Sequence, residues 1–376
     1  MTITTPDTPS PTSSPGGRLD VIVIGAGQAG LAVAWHLARL GRRFLVLEAG
    51  SEVGHTWRTR WDSLTLFTPA EYDALPGMPF PAPSGSYPTK DQVADYLAAY
   101  AARFELPVLL DAAVIRLTRE QDHFAVHTTQ GALTSEQVIV ATGPFQRPMI
   151  PGHARQLSAS VVQLHSSQYR NPADLPPGRV LVVGAGNSGL QIARELADTH
   201  EVSVAVGSKP RMVPQRVLGR DLFWWLSRLG VLTQPSTSGP ARVFRARGGD
   251  LVIGCKRKDL RRAGIRLRPR LIGAHSRTVT FADGSTSEVD ALLWATGFRP
   301  DYSWIDIDGL CAPDGQIVHR RGVTDQPGLF VLGQAWQHTR GSALLGFVKE
   351  DACWLAGVVA RRSGLQEANA RQAVRS

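Results

Sequence analysis

Residues 21–30, VIVIGAGQAG, most constrain what this chain can fold into. Four apolar, mostly β-branched residues predict a buried strand, and Gly25, Gly27 and Gly30 follow at the spacing of a dinucleotide-binding turn. In such a turn the first glycine allows a tight bend, the second admits a pyrophosphate and the third lets the next helix pack against the strand. We therefore predict a turn that presents the amino end of a helix to phosphate groups.

A β-α-β unit surrounds this turn. We predict a helix from Leu31 to Leu40 and a second strand from Phe44 to Leu47, which ends at Glu48. A carboxylate about 20 residues after the turn can accept hydrogen bonds from both ribose hydroxyls, so the strand, the helix and the acid together make the glycine pattern specific. FAD and NAD both fit this first site, because neither carries a phosphate on the adenosine ribose.

The same pattern recurs in the second half of the chain. Gly184, Gly186 and Gly189 follow the strand sequence RVLVV, and residues 289–300, VDALLWATGFRP, repeat residues 138–148, VIVATGPFQRP. The spacing from each glycine turn to its ATG sequence is nearly equal in the two copies. An internal repeat of this length predicts two nucleotide-binding domains.

The two copies differ at the residue that selects the nucleotide. Where the first has Glu48, the second has Gly207, followed by Ser208, Lys209 and Arg211. A carboxylate would repel a 2′-phosphate, whereas a hydroxyl and two cations would bind one, so the second site is predicted to bind NADPH in preference to NADH. Two adjacent dinucleotide sites, one of them for NADPH, are best explained by hydride transfer into a flavin, which assigns FAD to the first site.

The fold class that follows is α/β, with two Rossmann-like dinucleotide-binding domains and the NADPH domain inserted in the FAD domain. We predict a helix that begins at Ser342, after Gly341, and packs its apolar face on the first domain. The predicted order is a disordered tail at 1–17, the first part of the FAD-binding domain at 18–150, a linker at 151–177, the NADPH-binding domain at 178–297, and the return to the FAD-binding domain with a C-terminal helix at 298–376.

Candidate cofactor residues come from the glycine turns, the nucleotide-selecting positions, the two ATG sequences, the aromatic loop after Glu48 and the glycine that ends a late buried strand. For FAD they are Gly25, Gly27, Gln28, Ala29, Gly30, Glu48, Trp57, Ala141, Thr142, Gly143 and Gly333. For NADPH they are Gly184, Gly186, Asn187, Ser188, Gly189, Ser208, Lys209, Arg211, Ala295, Thr296 and Gly297.

Composition narrows the remaining function classes. The net charge is +9, and residues 242–270 carry a surplus of the same size, which could attract an anion or form a solvated face. No base-stacking aromatic motif interleaves with these charges, so nucleic acid is not expected. The three cysteines are widely separated and form no CxxC, so neither a redox disulfide of that type nor a metal site is expected. Without an apolar run of about 18 residues or a signal peptide, we expect no membrane span and a cytoplasmic location.

The motifs resemble those of the class B flavin monooxygenases. GAGQAG with Glu48, the segment around Trp57, GAGNSG and the second ATG carry the resemblance, which covers residues 18–360. This family includes flavin-containing monooxygenases, plant auxin-biosynthesis enzymes and Baeyer–Villiger monooxygenases, and the chain looks most like short bacterial flavoproteins associated with cation-diffusion facilitators.

The resemblance implies a reaction. NADPH would reduce FAD, oxygen would add to the reduced ring as a C4a-(hydro)peroxide, and one oxygen atom would pass to a small molecule by N-, S- or Baeyer–Villiger oxidation. The alternatives are an NAD(P)H-dependent flavin reductase or oxidase without substrate oxygenation, and a flavin-bound sensor or transport-associated subunit. The substrate, the oligomeric state and any acid–base residue stay open.

Two departures from the family pattern matter. The linker motif F-x-G-x-x-x-H-x-x-x-Y/F is matched by His165 and Tyr169, whereas Ala159 and Val161 stand at its Phe and Gly positions. Phe67 stands where flavin-containing monooxygenases have an active-site Asn, which puts stabilisation of the oxygen adduct by that side chain in question and slightly favours the oxidase alternative. Asn187 is the candidate amide near the nicotinamide.

Overall fold

The computed structural model describes residues 18–208, 210–246 and 251–373. Within these ranges the backbone forms two larger sheets, and each is built around one of the two glycine turns. The segment predicted to be a disordered tail, residues 1–17, lies outside the described residues, and so do Lys209 and part of the basic stretch.

The first sheet has eight strands and surrounds the first glycine turn. Leu19–Ile24 pairs in parallel with Phe44–Leu47 on one side and with Gly131–Val140 on the other. Across the sheet the strands follow in the order Ile305–Asp306, Val114–Glu120, His123–Thr128, Gly131–Val140, Leu19–Ile24, Phe44–Leu47 and Val108–Leu109, with Leu329–Val331 also paired to Gly131–Val140. The chain therefore returns to this sheet after it has passed through the second one.

The second sheet has five strands, all parallel, and surrounds the second glycine turn. Its strands follow in the order Arg266–Arg268, Glu201–Ala205, Arg179–Val183, Ala291–Trp294 and Val162–His165. The last of these is an edge strand that lies inside the segment predicted as a linker. The first sheet is mixed, since Val114–Glu120, His123–Thr128 and Gly131–Val140 pair antiparallel, and the second is parallel, so the α/β class is confirmed.

The helices lie mainly between strands or after the last of them. Their bounds are Gln28–Arg39, His55–Arg58, Lys90–Arg103, Asn187–Leu196, Leu222–Arg228, Gly239–Ala246, Arg257–Arg262 and Val348–Ala373, with short 3-10 turns at Ala70–Tyr72, Gly152–Gln156, Pro172–Asp174 and Arg340–Ala343. The first helix begins at Gln28, three residues before the predicted start, because it follows Gly27 directly. At the start of Lys90–Arg103, the Thr89 side chain and the Gln92 side chain each bond the backbone N–H of the other, a capping box.

The predicted start of the C-terminal helix is wrong by six residues. Ser342 belongs to a 3-10 turn, in which its Oγ accepts the backbone N–H of Thr339, while the Thr339 side chain accepts the N–H of Gly341. The α-helix begins only at Val348. Gly346 packs against the loop that contains Tyr72, because a Cβ added to Gly346 would stand 2.0 Å from the carbonyl oxygen of Tyr72. The chain turns at this contact before it becomes helical.

Four smaller groups of paired strands lie outside the two larger sheets. They are Arg211–Val213 with Leu251–Ile253, the hairpin Arg216–Val217 with Arg220–Asp221, the three strands Leu271–His275, Thr278–Phe281 and Thr286–Glu288, and Arg147–Pro148 with Phe298–Arg299. The last pairing joins the two chain segments that follow the two ATG sequences and cross between the sheets. Trp57 and Leu66 pack against the hydrophobic cores of both sheets, so the loop after Glu48 lies at their junction.

Candidate functional site

The first glycine turn has the geometry that a bound pyrophosphate requires. Gly25 has a φ of +108°, and an added Cβ would stand 2.6 Å from the carbonyl oxygen of Ala141, so only glycine fits there. A Cβ on Gly30 would stand 1.8 Å from the carbonyl oxygen of Gly25, so the helix lies against the turn. Among the described residues, a Cβ on Gly27 would meet nothing within 4 Å apart from its chain neighbours. The turn thus encloses an open space.

That open space lies at the amino end of the helix Gln28–Arg39. Gly27 is the N-cap and has no side chain to satisfy the first backbone N–H groups, so those of Gln28 and Ala29 stay available to an acceptor. The helix carries no acidic residue in its first turn that would oppose an anion. These residues fit the diphosphate of FAD.

Glu48 is fixed beside the same turn. Its carboxylate accepts the N–H of Ala26 at 2.8 Å and the N–H of Gly50 at 2.9 Å. These two bonds hold both oxygens in place, and each oxygen keeps further lone pairs for a ribose hydroxyl. The carboxylate therefore lies beside the turn, and its role toward a ribose stays a prediction.

Three further segments from the candidate FAD set surround the turn. Ala141, Thr142 and Gly143 follow the strand Gly131–Val140, and the Thr142 hydroxyl accepts a hydrogen bond from Gln146. Gly333 approaches the first helix so closely that its Cβ would stand 2.9 Å from that of Ala29. Trp57 lies on the short helix His55–Arg58 at the junction of the two cores.

The second glycine turn repeats this geometry on the second sheet. Gly184 has a φ of +115°, and its Cβ would stand 2.3 Å from the carbonyl oxygen of Ala295. A Cβ on Gly189 would likewise collide with the carbonyl oxygen of Gly184. A Cβ on Gly186 would meet nothing within 4 Å among the described residues apart from its chain neighbours. Ser188 is in the first turn of the helix Asn187–Leu196, whose first N–H groups face the open space.

The Asn187 side chain bonds the backbone of a neighbouring strand. Its amide donates to the carbonyl of Leu251 at 2.9 Å and accepts the N–H of Ile253 at 3.0 Å. The side chain therefore holds the strand Leu251–Ile253 against the amino end of its helix. This contact positions a strand that comes after Glu201–Ala205 and before Arg266–Arg268 in the chain.

The nucleotide-selecting end of the second turn is more basic than the sequence predicted. Ser208 is exposed just after Glu201–Ala205, and Arg211 starts the strand Arg211–Val213. Arg270, which the sequence interpretation did not select, donates from Nη2 to the carbonyl of Gly207 at 2.6 Å. The strand Arg266–Arg268 next to Glu201–Ala205 brings it there, so a residue of the basic stretch lies at this end of the turn.

His165 and Arg60 brace the segments that cross between the sheets. The buried His165 imidazole donates from Nε2 to the carbonyl of Gly297 at 3.1 Å, and burial lowers its pKa, so it is neutral. The Arg60 guanidinium lies over the rings of Phe145 and Phe298, 5.4 and 5.6 Å from their centroids.

The other half of the linker motif is a structural tether. Tyr169 is fully buried, and its hydroxyl donates to Oε2 of Glu195 at 3.0 Å on the helix that follows the second turn. Burial raises the pKa of Tyr169, so the phenol stays protonated. The Oγ1 of Thr296 donates to the carbonyl of Met149, which ties the second ATG sequence to the first crossing segment.

A cavity of about 270 Å³ lies between the loop after Trp57 and the helix Asn187–Leu196. The ring of Phe67 stacks on Phe223 at 6.0 Å, and Gln215 donates to the carbonyl of Phe67. The lining residues are Thr65, Leu66, Phe67, Tyr87, Asn187, Leu190, Gln191, Arg194, Gln215, Val252, Ile253, Gly254 and Cys255. Burial raises the pKa of the Cys255 thiol, so this cysteine is not an activated nucleophile.

Asp73 is a buried carboxyl that the sequence patterns did not single out. Its Oδ1 accepts the Thr68 hydroxyl at 2.6 Å, whereas its Oδ2 is buried without a partner among the described residues. Burial raises the pKa of Asp73 to about 7, although the Thr68 bond opposes that shift.

This carboxyl makes stability depend on pH. Between about pH 4 and pH 7 the folded chain binds a proton that the unfolded chain has released, so the free energy of unfolding falls as pH rises through this range. We expect Asp73→Asn to remove that part of the decline, up to about 4 kcal/mol at pH 8. Urea unfolding across this pH range measures it. The exposed Asp325→Asn is the control, and equal pH slopes in wild type and Asp73→Asn would contradict the assignment.

Three absences hold within the described ranges. No group of His, Cys, Asp or Glu could hold a metal ion. The cysteines at 255, 311 and 353 are all free thiols. No helix there is both long enough and apolar enough to cross a membrane.

The chain is similar to known oxidoreductases. Residues 22–217 match the family described as pyridine nucleotide-disulphide oxidoreductase. An uncharacterised CzcO-like oxidoreductase of Geobacillus kaustophilus is 45% identical over 90% of this chain and 97% of its own length. Indole-3-pyruvate monooxygenase YUCCA4 of Oryza sativa is 28% identical over 87% of this chain and 82% of its own length.

Solved structures give the same result. The flavin-containing monooxygenase of Stenotrophomonas maltophilia superposes with a TM-score of 0.75 at 30% identity, covering 92% of this chain and 98% of that one. These names confirm the predicted resemblance to flavin monooxygenases and agree with the predicted cofactors, FAD and NADPH. The chain belongs to the pyridine nucleotide-disulphide oxidoreductase family and is an oxidoreductase of the flavin monooxygenase type.

Proposed function

We propose that this protein is an FAD- and NADPH-dependent monooxygenase of a small molecule, with FAD at the first glycine turn and NADPH at the second. The observation that carries the proposal is the repeated geometry of the turns: each keeps a space open at its middle glycine, at the amino end of a helix, after a strand with parallel neighbours on both sides. The NADPH domain, residues 178–297, is inserted in the FAD domain, and residues 151–177 link them.

In this proposal the chain's own groups bind and orient FAD and enclose the junction where the nicotinamide meets it. The N–H groups of Gln28 and Ala29 hold the FAD diphosphate, and the Glu48 carboxylate accepts the ribose hydroxyls. When bound, FAD supplies the hydride acceptor and the oxygen chemistry that side chains lack. Trp57 and the loop after it cover the junction where a nicotinamide would meet the flavin, which excludes water from the reaction.

We assign the 2′-phosphate of NADPH to the basic end of the second turn. Ser208 offers a hydroxyl there, and Arg211 and Arg270 offer guanidinium groups, together with Lys209 from the sequence prediction. Arginine pairs with phosphate through charge-assisted hydrogen bonds, whereas NADH presents only a hydroxyl at that position.

Replacing these arginines should change nucleotide preference. We expect Arg211→Ala with Arg270→Ala to raise the KM for NADPH about 100-fold or more, because two charge-assisted bonds of about 1.5–3 kcal/mol each are lost, and to leave the KM for NADH within about twofold. Steady-state NADPH and NADH oxidation measures this. Arg266→Ala, which breaks only an exposed pair with Glu201, is the matched control. Equal effects on the two nucleotides would refute the assignment.

The substrate would enter beside Phe67. Phe67 presents a ring, not an amide, and this ring is packed on Phe223, so this position itself offers no amide to hold an oxygen adduct. That observation keeps the second candidate open, an NAD(P)H-dependent flavin reductase or oxidase that returns electrons to oxygen without oxygenating a substrate.

A substrate screen separates these two functions. Purified flavoprotein is given NADPH in air with a panel of amines, sulfides and ketones, and NADPH consumption, hydrogen peroxide and oxygenated product are quantified. A monooxygenase forms product at the expense of peroxide with at least one compound. One peroxide for every NADPH, unchanged by every compound in the panel, identifies the oxidase.

A further inference from the structure

The hairpin and helix at residues 216–231 expose an unusual amount of apolar surface. Leu218 is 86% exposed and Leu229 is 68% exposed, and Val231 is also exposed. Trp224 and Trp225, half-buried, lie between them on the helix Leu222–Arg228. We call residues 216–231 the hairpin–helix surface.

The tip of the hairpin has an unfavourable backbone conformation. Leu218 and Gly219 are the two residues between the paired strands, and both have positive φ, +49° and +75°. Such tight turns favour Asn-Gly, because a leucine in the left-handed region costs about 1–2 kcal/mol. The chain therefore places a leucine in an unfavourable conformation where its side chain projects into solvent, and neither the proposed reaction nor the core uses it.

The pieces of this surface form one unit. The indole N–H of Trp225 donates to the carbonyl of Val217 at 3.0 Å, which fastens the hairpin to the helix. The rings of Trp224 and Trp225 contact each other edge to face, with centroids 4.7 Å apart. Leu229 is the C-cap of the helix and follows one turn after Trp225, while Leu218 follows Val217, to which Trp225 is bonded.

The charges around this surface have one sign. Arg216, Arg220 and Arg228 are exposed, and Arg220 lies over the ring of Trp224 at 5.4 Å. Asp221 is the single acid between residues 216 and 231, and it is occupied by the Tyr87 hydroxyl, the Gln215 amide and the N–H of Phe223.

We propose that the hairpin–helix surface docks the protein on an anionic lipid bilayer. Leucine side chains enter the acyl boundary, tryptophans prefer the interface, and arginines pair with lipid phosphates, so the three residue types match the three layers of one surface. Asp221 ties this surface to Gln215 and Tyr87, which line the cavity, so docking would bring the cavity wall next to the lipid.

Vesicle sedimentation with the full-length flavoprotein tests the proposal. Vesicles of phosphatidylcholine alone are compared with vesicles in which a quarter of the lipid is phosphatidylglycerol, at low and at high salt. The protein should sediment with the anionic vesicles at low salt, much less with the neutral ones, and less at high salt.

Leu218→Asn isolates the apolar contact, because asparagine suits the left-handed backbone and the fold is kept. We expect vesicle affinity to fall about tenfold with unchanged NADPH oxidation. Leu40→Asn, at a leucine 47% exposed at the end of the first helix, is the matched control and should change nothing. Arg220→Gln and Arg228→Gln should each lower affinity about fivefold and flatten the salt dependence.

Either of two results would overturn the proposal. One is equal vesicle binding by wild type and Leu218→Asn. The other is wild-type protein that ignores anionic vesicles at low salt. If Leu218→Asn then alters the size of the protein on gel filtration, the surface is a contact between protein chains and not a lipid contact.

Discussion

Gly27→Ala is expected to give a folded but colourless protein. The backbone at Gly27 is extended, with φ −75° and ψ −175°, and an added methyl group meets nothing within 4 Å among the described residues beyond its chain neighbours. The substitution is therefore compatible with the fold, but the methyl group fills the space that the FAD diphosphate would occupy. Loss of two charge-assisted contacts, at about 1.5–3 kcal/mol each, should weaken FAD binding by about 100-fold or more.

The measurement is flavin content after purification, followed by FAD titration of the apoprotein. Gly152→Ala is the control, because its added Cβ is equally unobstructed and it lies outside both turns. Gly25→Ala is less informative, since its Cβ would collide with the Ala141 carbonyl and could unfold the turn as well as exclude FAD. A yellow Gly27→Ala protein with wild-type FAD affinity would contradict the placement of the cofactor.

Gly186→Ala is expected to give the opposite phenotype. Its backbone is also extended, and its added Cβ also points into open space, so the fold and the FAD site should be kept. The methyl group would stand between the helix Asn187–Leu196 and the NADPH diphosphate. We expect a yellow protein whose KM for NADPH and KM for NADH both rise about 100-fold, since both nucleotides carry that diphosphate.

Gly27→Ala and Gly186→Ala together test the two turns separately. Flavin absorbance and NADPH oxidation are measured for both, with Gly152→Ala again as the control. Loss of flavin in Gly186→Ala, or unchanged NADPH kinetics in it, would reject the assignment of the second turn. The result also differs from that of the Arg211 and Arg270 variants, which should affect NADPH alone.

Local patterns in the sequence predicted the parts of the fold that neighbouring residues determine. Glycine spacing identified both turns, because the three glycines of each turn lie within six consecutive residues. The start of the last helix was missed, because close packing of Gly346 on Tyr72, a contact between distant segments, decides where that helix begins.

Long-range contacts also decided what the sequence left open at the site. Arg270 reaches Gly207 across 63 positions, through the pairing of Arg266–Arg268 with Glu201–Ala205, and a charge run gives no sign of which member points where. Asp73 is noticed only through its burial. The sequence does not indicate the substrate for the same reason, because the residues that line the cavity come from several separate segments.

Anaerobic mixing of the purified flavoprotein with one equivalent of NADPH tests the central claim most directly, because hydride transfer requires both nucleotides in facing sites. Stopped-flow absorbance near the flavin maximum follows the reaction. The account predicts complete loss of oxidised-flavin absorbance, faster with NADPH than with equal NADH, and a loss about 100-fold slower with NADPH in Gly186→Ala. Flavin that stays oxidised in the wild-type protein with both nucleotides would contradict it.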